Sequence, residues 1–172
     1  MYDFTPLENE TIRINGITHS SSVDGTGFRD VLFVNYCPHH CDGCHNPQTW
    51  LKENGKIVNL KDVYNDLTES AITNVTFSGG EPFEQCDKLT LLADALTKCA
   101  HKTVWIYSGY TYEQIIADEN KKKLLEKCVV LVDGKFNKNL TELNLRFKGS
   151  TNQRIIDVKK SLAQGRVVLF ED

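Results

Sequence analysis

Asn74-Val75-Thr76-Phe77-Ser78, stopped at once by Gly79-Gly80-Glu81, is the stretch on which the fold turns. It is rich in β-branched and aromatic side chains and too short for a helix, so it reads as a buried strand. Three similar runs flank it. Val31–Val34 precedes it, Thr103–Tyr107 follows and ends at Ser108-Gly109, and Val129–Val132 ends at Asp133-Gly134. Near-continuous hydrophobicity predicts strands covered on both faces, as in parallel sheets. Helical patterns fill the gaps. Leu60–Leu67 places Val63 and Leu67 four apart, and Leu89, Leu92, Leu96 and Cys99 recur at helical spacing. Thr111 can cap a helix running through Ile116.

Strands alternating with helices predict right-handed βαβ units. At 172 residues the chain is short of the ~250 typical of an eight-unit barrel. The expected class is therefore α/β, a partial (β/α) barrel with a mostly parallel sheet, in a single domain over residues 1–172. Beyond Leu140 the sequence is more polar, with strands expected at Arg154–Val158 and Arg166–Phe170.

Composition excludes several classes. An apolar fraction of 40% and a charged fraction of 25% are ordinary for globular proteins. A formal net charge of −3 gives no electrostatic reason to expect nucleic acid or an anionic membrane surface. No apolar run approaches the ~20 residues of a membrane span. The opening Met1-Tyr2-Asp3-Phe4-Thr5-Pro6 lacks the regions of a secretory signal, so a cytoplasmic location is expected.

The first chemistry-bearing segment is Cys37-Pro38-His39-His40-Cys41-Asp42-Gly43-Cys44-His45-Asn46-Pro47, directly after a strand. Open α/β sheets and barrels place their sites at such carboxyl ends. Three thiolates on a four-iron cube would leave one iron open to bind a small ligand. Structural zinc competes on the same residues, because His39, His40 or His45 could complete a Cys3His set. A chance grouping of packing cysteines is the third option. The remaining cysteines, Cys86, Cys99 and Cys128, read as buried packing residues. His19 and His101 read as loop or surface residues, and Lys121-Lys122-Lys123 as a solvated helix face.

The second segment is Ser78-Gly79-Gly80-Glu81-Pro82, a strand end with two glycines and a carboxylate. Glycines allow close approach of a ligand to the backbone, and a carboxylate suits an amine. Taken alone, this is equally an ordinary strand-to-helix turn.

Together, C-x3-C-x2-C after one strand and G-G-E after the next resemble the radical S-adenosylmethionine superfamily. Further matches are similar to its glycyl-radical-enzyme activases. Val23-Asp24-Gly25-Thr26-Gly27-Phe28-Arg29 resembles their V-D-G-P-G-x-R lead-in, with Thr26 in place of proline. Cys44-His45-Asn46 followed by Thr49-Trp50 resembles their next motif, as does Trp105–Thr111. Val132-Asp133-Gly134-Lys135 resembles a D-x-K step. Arg146-Phe147-Lys148-Gly149-Ser150-Thr151-Asn152-Gln153 resembles the R-x-x-G-S-x-N-Q ending of the activases that serve anaerobic ribonucleoside-triphosphate reductases.

The resemblance implies a [4Fe-4S] cluster on Cys37, Cys41 and Cys44, with S-adenosyl-L-methionine chelated at the open iron. It implies that Gly79, Gly80 and Glu81 bind the methionyl end. Asp133 and Lys135 would meet the carboxylate or ribose side. Gly43 stands where much of the superfamily has an aromatic residue, so His45 or the Gly43 backbone would cover the adenine. The implied partners are the glycyl-radical subunit of the anaerobic reductase and an electron donor such as flavodoxin or ferredoxin. A different glycyl-radical enzyme, such as formate lyase, is the alternative substrate protein. A non-catalytic zinc-binding interaction module is the alternative of another class.

Overall fold

The structure is a computed structural model that describes residues 2–171. Seven strands form one sheet: β1 (Thr11–Ser21), β2 (Arg29–Val34), β3 (Lys56–Asn59), β4 (Asn74–Gly79), β5 (Val104–Tyr107), β6 (Val130–Asp133) and β7 (Arg154–Asp157). Their spatial order is β3-β1-β2-β4-β5-β6-β7. The central strands β2, β4, β5 and β6 run parallel, while β1, β3 and β7 join by antiparallel pairing. The sheet is therefore mixed, with its parallel part confined to the middle.

The helices are α1 (Thr5–Glu8), α2 (Leu60–Leu67), α3 (Cys86–Lys98), α4 (Tyr112–Ile116), α5 (Glu119–Leu125) and α6 (Val158–Gln164). Local chemistry fixes their starts. The Asn59 side chain accepts from Lys61 N–H, and Thr111 and Gln114 form a reciprocal capping box. Asp118 and Asp157 cap α5 and α6. Cys99 is the C-cap of α3 rather than part of the helix, and is partly buried against the core.

Side chains alternate across each strand and so divide the sheet into two unlike faces. On one, Leu32, Val34, Val75, Phe77, Ile106 and Leu131 join helix residues such as Leu67, Leu89, Leu96 and Leu124 in the main core. On the other, Trp105, Val130 and Val132 make a small cluster with Tyr107, Phe147, Ile155 and Phe170. The strands are thus apolar on both sides, but helices cover only one. The second face is closed partly by the C-terminal segment and otherwise opens into a cavity.

Two expectations need correction. Residues 166–170 do not form a strand: a single bridge joins Ile156 and Leu169, with flanking bonds from Asp157 N–H to Val168 O and Phe170 N–H to Ile155 O. Leu169 is half exposed, so nothing holds the segment flat along β7. The expected Arg154–Val158 strand ends one residue early, because Asp157 turns to cap α6. Among the described residues, no helix is long and apolar enough to cross a membrane.

Candidate functional site

Parallel pairing sets β2 and β4 side by side, with Val34 opposite Gly79. Their carboxyl ends therefore emerge together, and the cysteine loop leaves β2 beside the glycine pair. The approach is too close for any side chain. A Cβ on Gly79 would lie 2.6 Å from Val34 backbone atoms, and one on Gly80 would lie 2.2 Å from the Tyr36 carbonyl. Gly79 also holds φ +103°, a region that favours glycine. Gly80 N–H donates to Val34 O (2.9 Å) and Glu81 N–H to Tyr36 O (2.8 Å). The two motifs are stitched backbone to backbone.

The cysteine loop closes on itself. Tyr36 N–H donates to Thr49 O (2.7 Å), and buried Thr49 Oγ1 donates to Asn46 O (2.7 Å). This is the work of the Thr49-Trp50 pair, whose role was not legible in the sequence. The loop also rests on residues 136–138. His45 packs on Phe136 with centroids 4.8 Å apart, Lys138 pairs with Asp42, and Gly43 lies against Lys138 at φ +74°.

Cys37, Cys41, Cys44 and His45 line one cavity together with Gly79 and Gly80. Its volume is about 640 Å³, within the range of small-molecule sites. Burial pushes the Cys37 thiol up to about 11 and raises that of Cys41 as well. Such thiols become good ligands once a metal displaces the proton. Cys44 Sγ accepts a hydrogen bond from Asn46 N–H (3.3 Å).

The donor set, three cysteine thiols on one loop, fits an iron–sulfur cube. Zinc needs four ligands gathered at one point. Among the described residues no three His, Cys, Asp or Glu side chains converge at one point, the three thiols included. Each nearby histidine also makes a contact of its own. His39 Nε2 is 2.7 Å from Glu81 Oε2, His40 stacks on Trp50, and His45 packs on Phe136. Three thiols lining one cavity suit a cube held at three corners.

The remaining expected residues stand back from the cavity. Glu81 is fully buried and does not line it, although Ser108 and Gly109, which its carboxylate binds, do. Asp133 is also buried. Its carboxylate accepts from Tyr112 N–H (2.7 Å) and from Arg154 Nε (2.9 Å) and Nη2 (2.5 Å). Gly134 lines the cavity in its place. Lys135 is exposed, close enough for its charge to act on Cys41.

The G-S-T-N-Q segment forms a clasp. Gln153 Oε1 accepts from Gly149 N–H (2.8 Å) and Ser150 N–H (3.2 Å), while its Nε2 donates to Gly134 O (2.9 Å). Asn152 Nδ2 donates to Lys135 O (2.9 Å) and Ser150 Oγ accepts from Asn137 N–H (3.1 Å). This clasp holds residues 134–138, on which the cysteine loop rests. The V-D-G-T-G-F-R lead-in has a structural role too. Gly25 (φ +132°) leaves room for the buried Arg29 side chain, and Asp24 reaches the cavity.

Comparison with known proteins agrees with this geometry. The profile of the 4Fe-4S single cluster domain family matches residues 23–156. The anaerobic ribonucleoside-triphosphate reductase-activating protein of Enterobacteria phage T4 is 34% identical over 139 residues, covering 77% of this chain and 86% of that protein. The protein of the same name from Vibrio cholerae is 35% identical over 141 residues, covering 77% and 90%. That from Escherichia coli K12 is 34% identical over 139 residues, covering 76% and 89%. A cluster-domain match over most of the chain, with three such relatives covering about three quarters of it, means that the chain belongs to the family of anaerobic ribonucleoside-triphosphate reductase-activating proteins, built on a 4Fe-4S single cluster domain.

Proposed function

We propose that the chain is a radical S-adenosylmethionine activase that installs a glycyl radical on an anaerobic ribonucleoside-triphosphate reductase. The observation that carries this reading is the shared cavity: three cysteine thiols on one wall, and beside them the glycine pair that ends β4. When bound, the cluster supplies one electron that splits the sulfonium of S-adenosylmethionine into methionine and a 5′-deoxyadenosyl radical, which takes a hydrogen atom from a backbone glycine of the reductase.

The chain's own residues bind and orient. Cys37, Cys41 and Cys44 hold three irons as thiolates. The Gly79-Gly80-Glu81 segment receives the methionyl end through its glycine backbone, and His45 or the Gly43 backbone covers the adenine. Asp133, through the Gly134 turn it precedes, and Lys135 frame the carboxylate or ribose side from behind the cavity wall. Tyr107, whose hydroxyl donates to Phe147 O (2.8 Å), helps keep the rest of the cavity wall in place. No general base is needed, since the initiating event is electron transfer. On this reading the mixed sheet is a partial barrel, and residues 1–172 are one radical S-adenosylmethionine domain. Its open side admits a protein loop, a low-potential donor such as flavodoxin or ferredoxin supplies the electron, and the setting is the cytoplasm.

Anaerobic reconstitution with iron and sulfide tests the proposal. The expected results are a brown chromophore, reductant-dependent cleavage of S-adenosylmethionine, and a glycyl radical signal by electron paramagnetic resonance on mixing with the reductase. A radical formed only on a different glycyl-radical enzyme would reassign the partner. Stoichiometric zinc with no cleavage would overturn the chemistry.

A further inference from the structure

The third residue of the Gly79-Gly80-Glu81 segment does not face the cavity its neighbours line, and its acceptor capacity is spent inside the protein. A carboxylate offers about four lone-pair positions. Glu81 Oε1 accepts from Phe83 N–H (3.0 Å) and Ser108 Oγ (2.9 Å). Oε2 accepts from Gly109 N–H (2.8 Å), is 3.0 Å from the same Ser108 hydroxyl, and lies 2.7 Å from His39 Nε2. Glu81 has no exposed surface, and the His39 side chain is only 7% exposed.

His39 sits between Cys37 and Cys41, so whatever fixes its ring fixes the first half of the cysteine loop. Three contacts do so. Glu81 holds Nε2, Tyr110 packs edge-on with centroids 4.5 Å apart, and Gly109 presses so close that a Cβ there would lie 2.3 Å from the ring. The carboxylate thereby ties together the end of β4, the loop after β5 and the cysteine loop.

We infer that Glu81 is a positioning residue, which locks the cysteine loop to the Ser108–Gly109 turn through His39 instead of contacting the methionyl amine. The inference rests on the proposed activase reading for its consequence, but the lock itself belongs to the chain. A carboxylate that met the amine directly would need a free oxygen facing the cavity. Glu81 has none, because an amine could reach it only by displacing His39 or Gly109.

The test compares Glu81→Gln, His39→Gln and Gly109→Ala in the full chain. Gly109→Ala leaves both members of the pair intact and displaces the His39 ring sterically. In the metal-free protein, amide hydrogen exchange over residues 37–46 should accelerate at least tenfold in all three variants, while exchange in β4 and β5 stays unchanged. After reconstitution, the electron paramagnetic resonance spectrum of the reduced cluster, recorded without S-adenosylmethionine, should change in the same way in all three. Iron release to a chelator should quicken in parallel. The double variant Glu81→Gln/His39→Gln should be no worse than the more affected single one.

If Glu81→Gln weakens S-adenosylmethionine binding while His39→Gln and Gly109→Ala bind it normally and loop exchange is unaltered, the inference is wrong. If Glu81→Gln does not fold, His39→Gln and Gly109→Ala decide alone. Failure of the wild type to assemble a cluster would sink the activase reading, and the exchange experiment would still judge the lock.

Discussion

The guanidinium of Arg29 lies 5.3 Å from the centroid of the Trp105 ring, on the face of the sheet that carries the cavity. Arg29 is 1% exposed, and its hydrogen-bond partners are Thr76 Oγ1 and the carbonyls of Thr26, Val75 and Thr103. No carboxylate is among them, and burial lowers its pKa to about 10. The charge is held by carbonyl dipoles and an aromatic face, so the planar fork of arginine matters more than the charge alone. Arg29→Lys should cost about 2–4 kcal/mol, because a lysine leaves several of those carbonyls unbonded. Urea denaturation of the variant measures this, and a loss below ~0.5 kcal/mol would contradict the assignment.

Gly80 makes a sharper steric prediction. Its missing Cβ would meet the Tyr36 carbonyl at 2.2 Å, and neither backbone can move without breaking the bonds that join β2 to β4. Gly80→Ala should destabilise the fold by about 1–3 kcal/mol and lower iron retention. Gly16→Ala is the control, since nothing lies within 4 Å of that position. Equal stability of the two variants would refute the close-approach explanation of the glycine pair.

A pH dependence follows from Arg154, which bridges β6 and α4. Hydrogen bonds from Arg154 hold the Glu113 carboxyl at about 2, well below its ordinary value. A lowered carboxyl pKa stabilises the fold above the unfolded value, near 4.5, and that stability is lost as pH falls toward 2. Glu113 is 58% exposed, so screening limits the effect to about 1 kcal/mol. Stability measured by urea titration from pH 5 to pH 3 should fall less steeply in Glu113→Gln than in the wild type. Parallel curves would show that the pair contributes nothing.

Most of the parallel centre was legible because buried strands and capped helices obey local rules. Val31–Val34, Asn74–Ser78, Thr103–Tyr107 and Val129–Val132 all fall on strands or within a residue of them, and Leu60–Leu67 is the whole of α2. The antiparallel edge formed by β1 and β3 was not. β1 alternates at Ile12 and Ile14, but a register shift between Ile14 and Gly16 breaks the period, and its far half is exposed and polar. β3 is an edge strand of four residues with little burial to leave a pattern. The three cysteines and the glycine pair could be found by spacing, whereas the commitments of Glu81 and Asp133 could not. Which donors surround a carboxylate depends on residues 27 or 21 positions away, Ser108 for one and Tyr112 and Arg154 for the other.

The clasp around Gln153 gives the last prediction. Its amide both donates to the Gly134 carbonyl and accepts from the Gly149 and Ser150 amides, so it joins two segments that also meet through the Asn152, Ser150 and Thr151 bonds. Gln153→Glu keeps the acceptor and replaces the donor with an oxygen facing the Gly134 carbonyl, so it should cost about 1–3 kcal/mol. Residues 134–138 carry Phe136 and Lys138 against His45 and Asp42, in the second half of the cysteine loop, whereas the Glu81–His39 pair holds the first half. Loosening them should leave the three thiols able to hold the cluster but blunt the wall beside His45. The expected result is unchanged iron content with S-adenosylmethionine binding weakened about tenfold, which corresponds to ~1.4 kcal/mol. Equilibrium binding to the reconstituted protein reads this directly. Iron loss with normal affinity would mean that the clasp supports the cluster instead of its ligand.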